Sequence, residues 1–266
     1  MRLAVVGKGG SGKSFISGTL ARILARNGHH ILALDIDTVP GLAISLGLSA
    51  EKIGDAGLPE NLVEKIPKKG WQLNTGVNIN AVVQKHVIHA PDNIRFLQLG
   101  KLPDCVKPAS TVAFRYVMEK FDQAGWHIIA DLAAGTRQPF FGWSNFADVI
   151  LIVVNPTATS ILTARRLARL AGKKKKKKEK SADAQDSKKP PVIGLIANKL
   201  RDDHDSKRIV SDLHRYGFPL FGEIPFDKES WNAESAGNAV IERTPDAPAV
   251  KAIETLAHRL TERFIH

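Results

Sequence analysis

Two kinds of hydrophobic pattern alternate from one end of the chain to the other. Short runs that are almost wholly apolar are typical of parallel strands buried on both faces. Between them lie stretches in which apolar residues recur at helical spacing. The short runs predict strands at residues 3–6, 30–34, 93–99, 126–130, 148–154, 192–197 and 220–224. The helical spacing predicts helices at 13–27, 41–48, 109–121, 157–171, 203–216 and 247–264. Residues 49–84 have little periodicity, apart from a turn predicted at 68–71.

This alternation predicts an α/β fold with one doubly wound, mostly parallel sheet and helices on both faces. A chain of 266 residues that is 43% hydrophobic can bury one sizeable core. We therefore expect residues 1–266 to form a single domain, with ligands bound at the carboxyl ends of its strands.

A glycine-rich segment separates the first predicted strand from the first predicted helix. It fits the pattern G-x-x-x-x-G-K-[ST], in which glycines let backbone N–H groups converge on phosphate oxygens. Lys13 can then reach the β- and γ-phosphates, and the Ser14 hydroxyl can bind Mg²⁺. The segment predicts a P-loop NTPase fold and a nucleoside triphosphate ligand. The expected binding residues are Gly7, Lys8, Gly9, Gly10, Ser11, Gly12, Lys13, Ser14 and Phe15.

Lys8 stands directly behind the first glycine, where an ordinary phosphate loop does not need a lysine. With it the segment resembles the deviant Walker A motif, K-G-G-x-x-K-[ST], of the MinD/ParA family. The resemblance implies an ATP-dependent homodimer in which Lys8 reaches the nucleotide of the partner subunit and stabilises charge there. The alternative is a solvated loop lysine.

Two aspartate motifs follow predicted strands and resemble the switch regions of the same family. Asp131 and Gly135 form D-x-x-x-G, which implies that Asp131 holds Mg²⁺ through water and Gly135 lets the loop approach a γ-phosphate. Asp35 and Asp37 end the second strand, and the resemblance assigns Asp37 to the attacking water or to the metal. Either aspartate could instead cap a helix or form a turn.

The family's base pocket has counterparts late in the chain. Asn198 ends a predicted strand and can present its amide to a purine. Pro225 and Asp227 belong to an I-P-x-D stretch, which in the family lines the other side of the base. The N-K-x-D motif that reads guanine is absent, because Leu200-Arg201 follow Lys199. ATP and Mg²⁺ are therefore the expected ligands.

Cys105 is the only cysteine of the chain, which excludes an intramolecular disulfide and suits a cytoplasmic protein. Its surroundings resemble the C-x-C-P stretch of CooC-like accessory ATPases, where cysteines of two subunits bind a metal. Lys107 stands at the second cysteine position. Cys105 is therefore either a ligand of a soft metal between subunits or a small buried residue. His86 and His89 form an H-x-x-H pair that could bind a metal from one helical face, or they are ordinary surface histidines.

The net charge of +11 is unevenly distributed. Residues 172–190 carry nine lysines against three acidic residues and almost nothing apolar, so we predict a flexible lysine-rich insertion there. It is either solvated or attracted to an acidic surface such as nucleic acid. We see no signal peptide, and the longest apolar run, residues 149–154, is too short to span a bilayer. No membrane association is expected.

These features predict an ATP-hydrolysing dimerisation switch whose catalytic residues are Lys8, Asp37 and Asp131. Its pattern is nearest to CooC-like factors, which implies assistance to a client enzyme in maturation or in cofactor or metal insertion. The main alternative is a ParA-like positioning or partition ATPase that binds DNA non-specifically through basic surface. A kinase-like synthetase is a third possibility, for which the sequence shows no acceptor pocket.

Overall fold

Parallel strands buried on both faces form the centre of the protein. The computed structural model describes residues 1–37, 41–49, 57–99, 108–135, 146–180 and 190–265. The strands are β1 (Arg2–Gly7), β2 (His30–Ile36), β3 (Val63–Ile66), β4 (Gly70–Leu73), β5 (Ile88–Ala90), β6 (Ile94–Gln98), β7 (Trp126–Leu132), β8 (Val149–Val154), β9 (Val192–Leu200) and β10 (Leu220–Pro225). The α-helices are α1 (Lys13–Arg26), α2 (Gly41–Ser45), α3 (Ile79–His86), α4 (Pro108–Lys120), α5 (Ala158–Lys180), α6 (Asp203–Leu213), α7 (Lys228–Ser235), α8 (Val240–Arg243) and α9 (Pro248–Phe264).

The main sheet has the strand order β10-β9-β8-β1-β7-β2-β6-β5. All its neighbouring strands pair in parallel except β5, which runs antiparallel to β6 at the edge. Strands β3 and β4 form a separate antiparallel hairpin. The order reverses direction at β1, and ligands of open α/β sheets bind at such a reversal, beyond the carboxyl ends of the strands. The predicted fold class is confirmed.

The sheet divides the hydrophobic core into two layers. Alternate residues of β1 point to opposite faces, so that Leu3 and Val5 join one cluster while Ala4 and Val6 join the other. Helices α1, α2, α8 and α9 supply the first layer, and α3 to α6 supply the second. Because both faces are covered, β1 and β8 are apolar along most of their length.

Several stretches differ from the prediction made from sequence, and β5, α7 and α8 were not predicted at all. Helix α5 continues to Lys180, whereas the lysine-rich insertion was expected to be flexible from residue 172. Lysine is a good helix former, and its positive charge is favourable at the C-terminal end of a helix. Residues 181–189 lie outside the described part.

The poorly periodic stretch 49–84 contains the hairpin and α3. The turn predicted at 68–71 is confirmed, with left-handed backbone at Lys68 (φ 64°) and Gly70 (φ 80°). Helix α3 buries only Ile79 and Val83, which is too few apolar positions to produce a visible period. Among the described residues, no helix is both long and apolar enough to cross a membrane.

Candidate nucleotide-binding site

The glycine-rich loop joins the end of β1 to the start of α1. Its turn is closed by a hydrogen bond from the Ser11 amide to the Lys8 carbonyl oxygen at 3.2 Å. Gly12 has a left-handed backbone (φ 94°), and a Cβ atom there would come within 2.2 Å of Asn198 Nδ2. Only glycine satisfies both constraints. The loop therefore has the backbone freedom that phosphate binding requires.

Lys13 and Ser14 begin α1, whose positive N-terminal end faces the loop. The Lys13 side chain is only 7% exposed, and its Nζ lies 3.5 Å from the Lys8 carbonyl oxygen. An ammonium group held inside the loop is positioned to neutralise phosphate oxygens.

Ser14 joins the loop to β7. Its Oγ donates a 2.6 Å hydrogen bond to Oδ2 of Asp131, which is buried inside the strand rather than after it. The other carboxylate oxygen, Oδ1, is buried and has no hydrogen-bond partner among the described residues. Burial raises the pKa of Asp131 to about 6, although the Ser14 hydrogen bond and the charge of Lys13 act in the opposite direction. A hydroxyl beside a carboxylate with a free oxygen is a donor set that fits Mg²⁺.

Asp35 and Asp37 have different surroundings. Asp35 is fully buried in β2, opposite Asp131 in the strand register, and its carboxylate accepts hydrogen bonds from the amides of Asp37 and Leu42, each at 3.1 Å. Burial, reinforced by the charge of Asp131, raises the pKa of Asp35 well above its usual range. Asp37 follows β2 and is half-buried. Asp35 thus anchors the backbone on both sides of residues 38–40, which lie outside the described part.

The segment after β7 lies against the phosphate loop. The amide of Gly135 donates to the Gly7 carbonyl oxygen at 3.4 Å, and a Cβ atom on Gly9 would lie 3.7 Å from that of Ala134. Residues 136–145 lie outside the described part. The structure therefore brings the predicted second switch segment, as far as Gly135, next to the first glycines.

The Asn198 side chain contacts the phosphate loop. Strand β9 continues to Leu200, so Asn198 lies within it, and its Nδ2 donates to the Ser11 carbonyl oxygen at 2.8 Å. One of its two N–H donors is therefore committed to the loop. Lys199, which the sequence analysis did not select, donates from Nζ to the Gly10 carbonyl oxygen at 3.1 Å. Only its position directly after Asn198 in the sequence could have indicated that Lys199 lies at the loop.

A cleft opens where β9 and β10 end, beside α7. Phe15, Asn198, Pro225 and Asp227 all line it, as the predicted base pocket requires. The Asp227 carboxylate also caps α7 by accepting from the Ser230 amide at 2.5 Å.

Sequence analysis also missed the lining residues that α7 contributes, Ser230, Trp231 and Glu234. They stand three, four and seven positions after Asp227, a spacing typical of one helical face. Burial raises the pKa of Glu234, and the charge of Lys199 opposes that shift.

The candidate soft-metal site is not visible in the described part of the chain. Cys105 and Lys107 lie outside it, and within it no group of three or more His, Cys, Asp or Glu side chains could hold a metal ion. The H-x-x-H interpretation was wrong, because His86 ends α3 whereas His89 lies in β5. The two histidines do not share a helical face.

Comparison with known proteins identifies the family. Residues 3–240 match the CobQ/CobB/MinD/ParA nucleotide binding domain. An ATP-binding protein of Methanocaldococcus jannaschii, itself uncharacterised, is 29% identical over 96% of both chains. The carbon monoxide dehydrogenase accessory protein CooC of Rhodospirillum rubrum is 27% identical, over 92% of this chain and 91% of its own. The MinD cell division protein of Aquifex aeolicus has the same fold, with a TM-score of 0.64 and 22% identity over 100% of this chain and 98% of its own. This chain belongs to the MinD/ParA family of nucleotide-binding proteins.

Proposed function

We propose that this chain is an ATP-hydrolysing dimerisation switch that assists the maturation of another enzyme by cofactor or metal insertion. The observation that carries the ATPase part is the contact between Ser14 and Asp131. It joins the phosphate loop to a buried carboxylate that keeps one oxygen available. A buried carboxylate oxygen without a partner is costly unless a ligand, such as metal-bound water, satisfies it.

Each residue of the site has its own role in binding or hydrolysis. The loop amides and Lys13 bind the phosphates of ATP. Ser14, Asp37 and Asp131 would hold Mg²⁺, with the two aspartates acting through water, and the ion would supply positive charge to the phosphate oxygens. Asp37 orients the attacking water. Lys8 reaches the nucleotide of the partner subunit, where it stabilises the charge that develops on the transferred phosphoryl group.

The same contacts make the site a switch. The amide of Gly135 is hydrogen-bonded to Gly7, so a γ-phosphate bound in the loop would lie next to the segment after β7. Asp35 ties the backbone after β2 to the start of α2, so movement at Asp37 passes to that helix. Two chains close around ATP, and hydrolysis releases both segments and separates the subunits.

The accessory role is supported by the extent of the similarity to CooC, which covers 92% of this chain. The test is activation of an apo-metalloenzyme whose gene neighbours that of this chain. Purified apoenzyme is incubated with metal, ATP and either wild-type chain or Lys8→Ala, and bound metal and enzyme activity are measured. We expect ATP-dependent activation by the wild type alone. Equal activation by both chains, or none by either, would contradict the proposal.

DNA binding is the second candidate because α5 and α6 carry exposed basic side chains, although α6 also carries Asp203, Asp205 and Asp212. Arg166 and Arg169 on α5 and Lys207 and Arg208 on α6 are exposed. Duplex DNA affinity should be measured against salt concentration, with and without ATP, for intact protein and for a variant with residues 172–190 replaced by a Gly/Ser linker. ATP-dependent binding that survives the replacement favours partition. Nucleotide-independent binding that vanishes with it indicates a non-specific polycation.

A further inference from the structure

We infer that the rings of Trp231 and Phe226, which line one cleft, are an aromatic surface on which the base of the bound nucleotide stacks, and that Trp231 thereby makes the site favour a nucleotide over a bare polyphosphate. This rests on the proposed function, because it assigns the outer wall of the same nucleotide site. The predicted base contacts, Asn198, Pro225 and Asp227, leave that wall unassigned.

The exposure of these two rings is the first observation. Among the described residues only four large hydrophobic side chains are exposed: Leu162, Val210, Phe226 and Trp231. Trp231 is 51% exposed and Phe226 is 47% exposed, yet both line the cleft at the strand ends. Each of these half-exposed rings offers a flat apolar face of the kind on which a planar heterocycle stacks.

Hydrogen bonds fix this surface relative to the phosphate loop. The Phe226 amide donates to the Leu200 carbonyl oxygen at 2.7 Å, and the Trp231 amide donates to the Asp227 carbonyl oxygen at 3.0 Å. Strand β9, which Leu200 ends, is bonded to the loop through Asn198 and Lys199. The backbone that carries the aromatic surface is therefore connected through β9 to the phosphate-binding loop.

Ser230 supplies an independent sign that the cleft receives a polar ligand. It lines the cleft, its side chain is 6% exposed, and its Oγ has no hydrogen-bond partner among the described residues. A buried hydroxyl without a partner is costly unless a ligand satisfies it. A nucleoside offers polar edges on its base and sugar, whereas a purely apolar ligand would leave the hydroxyl unpaired.

The test separates the base from the phosphates. ATP and inorganic tripolyphosphate are titrated into wild type, Trp231→Ala and Trp231→Phe, with Leu162→Ala as control because Leu162 is equally exposed (51%) on another helix. Stacking of one base on an aromatic ring predicts about tenfold weaker ATP binding in Trp231→Ala. Trp231→Phe should stay within about threefold of wild type because it keeps a ring. Tripolyphosphate affinity should be unchanged in every variant.

Tryptophan fluorescence gives a second readout. ATP should change the emission of the wild type much more than tripolyphosphate does, and Trp231→Phe should remove that difference while still binding ATP. Equal ATP affinity in wild type and Trp231→Ala overturns the inference and leaves the proposed ATPase intact. A loss of tripolyphosphate binding in Trp231→Ala also overturns it, since the residue would then support the loop. Failure of the wild type to bind ATP refutes the proposed function itself.

Discussion

The side-chain nitrogen of Asn198, Nδ2, lies 2.8 Å from the backbone carbonyl oxygen of Ser11, although the two residues are 187 positions apart. Asn198 is only 2% exposed, so water cannot replace this bond easily. The phosphate loop is therefore positioned by β9, two strands away in the sheet, as well as by β1 and α1. The Asn198 side chain therefore lies between the phosphate loop and the cleft at the strand ends.

We expect Asn198→Asp to destabilise the protein and to weaken ATP binding. The substitution removes the donor and sets a carboxylate against a carbonyl oxygen, a buried mismatch that costs about 1–3 kcal/mol or more. Urea unfolding and calorimetric titration with ATP measure the two effects. Asn80→Asp is the matched control, because Asn80 Nδ2 also donates to a distant carbonyl, that of Asp122, but in an exposed position. Similar losses in both variants would show that the loop contact has no special role.

Substitutions of Lys13 and Lys8 should separate nucleotide binding from hydrolysis. Lys13→Ala removes the buried ammonium of the chain's own loop, so nucleotide affinity should fall at least about a hundredfold, as for loss of a charge-assisted contact worth about 3 kcal/mol. Lys8→Ala should bind ATP nearly as well as wild type but lose ATP-driven dimerisation and hydrolysis. Calorimetry gives the affinity and sedimentation the oligomeric state. Lys251→Ala, which removes an exposed ammonium from α9, controls for net charge. An equal loss of affinity in both loop variants would refute action of Lys8 across the dimer.

Substitutions of Asp37 and Asp131 should impair different steps of the ATPase cycle. Asp37→Ala removes the group that orients water, so a dimer should accumulate in the ATP-bound state. Asp131→Asn keeps the size and the contact with Ser14 but loses the carboxylate, so ATP binding should depend much less on Mg²⁺. Single-turnover hydrolysis and ATP titration at several Mg²⁺ concentrations distinguish the two. Normal turnover in Asp37→Ala would remove Asp37 from the mechanism.

Stability should decrease in mild acid because of His127, which is 8% exposed and lies with Nδ1 2.9 Å from the Met1 amino nitrogen. Burial lowers the pKa of His127 from 6.5 to about 4, and the nearby Met1 amino group and His29 act in the same direction. Between these values the unfolded chain binds more protons than the folded protein, so the free energy of unfolding rises with pH and is fully regained above about 6.5.

Urea unfolding between pH 4 and 7 measures this dependence. His127→Gln should flatten it by about 2 kcal/mol over the window, after allowance for partial exposure of the ring. His258→Gln, an exposed histidine of α9, should leave it unchanged. An identical pH dependence in wild type and His127→Gln would exclude His127 as the cause.

Sequence periodicity predicted the main sheet because its strands are buried on both faces and carry a strong apolar signal. It missed α3, which buries only Ile79 and Val83, and α7, which buries only Ser230 and Ala233. The phosphate loop could be predicted because its backbone geometry demands particular residue types in a fixed order. The hydrogen bond from Asn198 to Ser11 could not be predicted, because it joins segments that are far apart in sequence. Trp231 was missed for a related reason: a single aromatic residue acquires meaning only when β10 and α7 place it at the cleft.

Lys199 illustrates a conflict between folding and ligand binding within one residue. Its backbone is left-handed (φ 60°), a conformation that costs a residue with a side chain about 1–2 kcal/mol, while its ammonium group reaches the rim of the phosphate loop. Glycine at this position would relieve the torsional cost and at the same time remove a positive charge from beside the nucleotide. A search for thermostable variants of this protein would therefore tend to select against its ligand affinity at position 199, so that the most heat-resistant chain need not be the most active one.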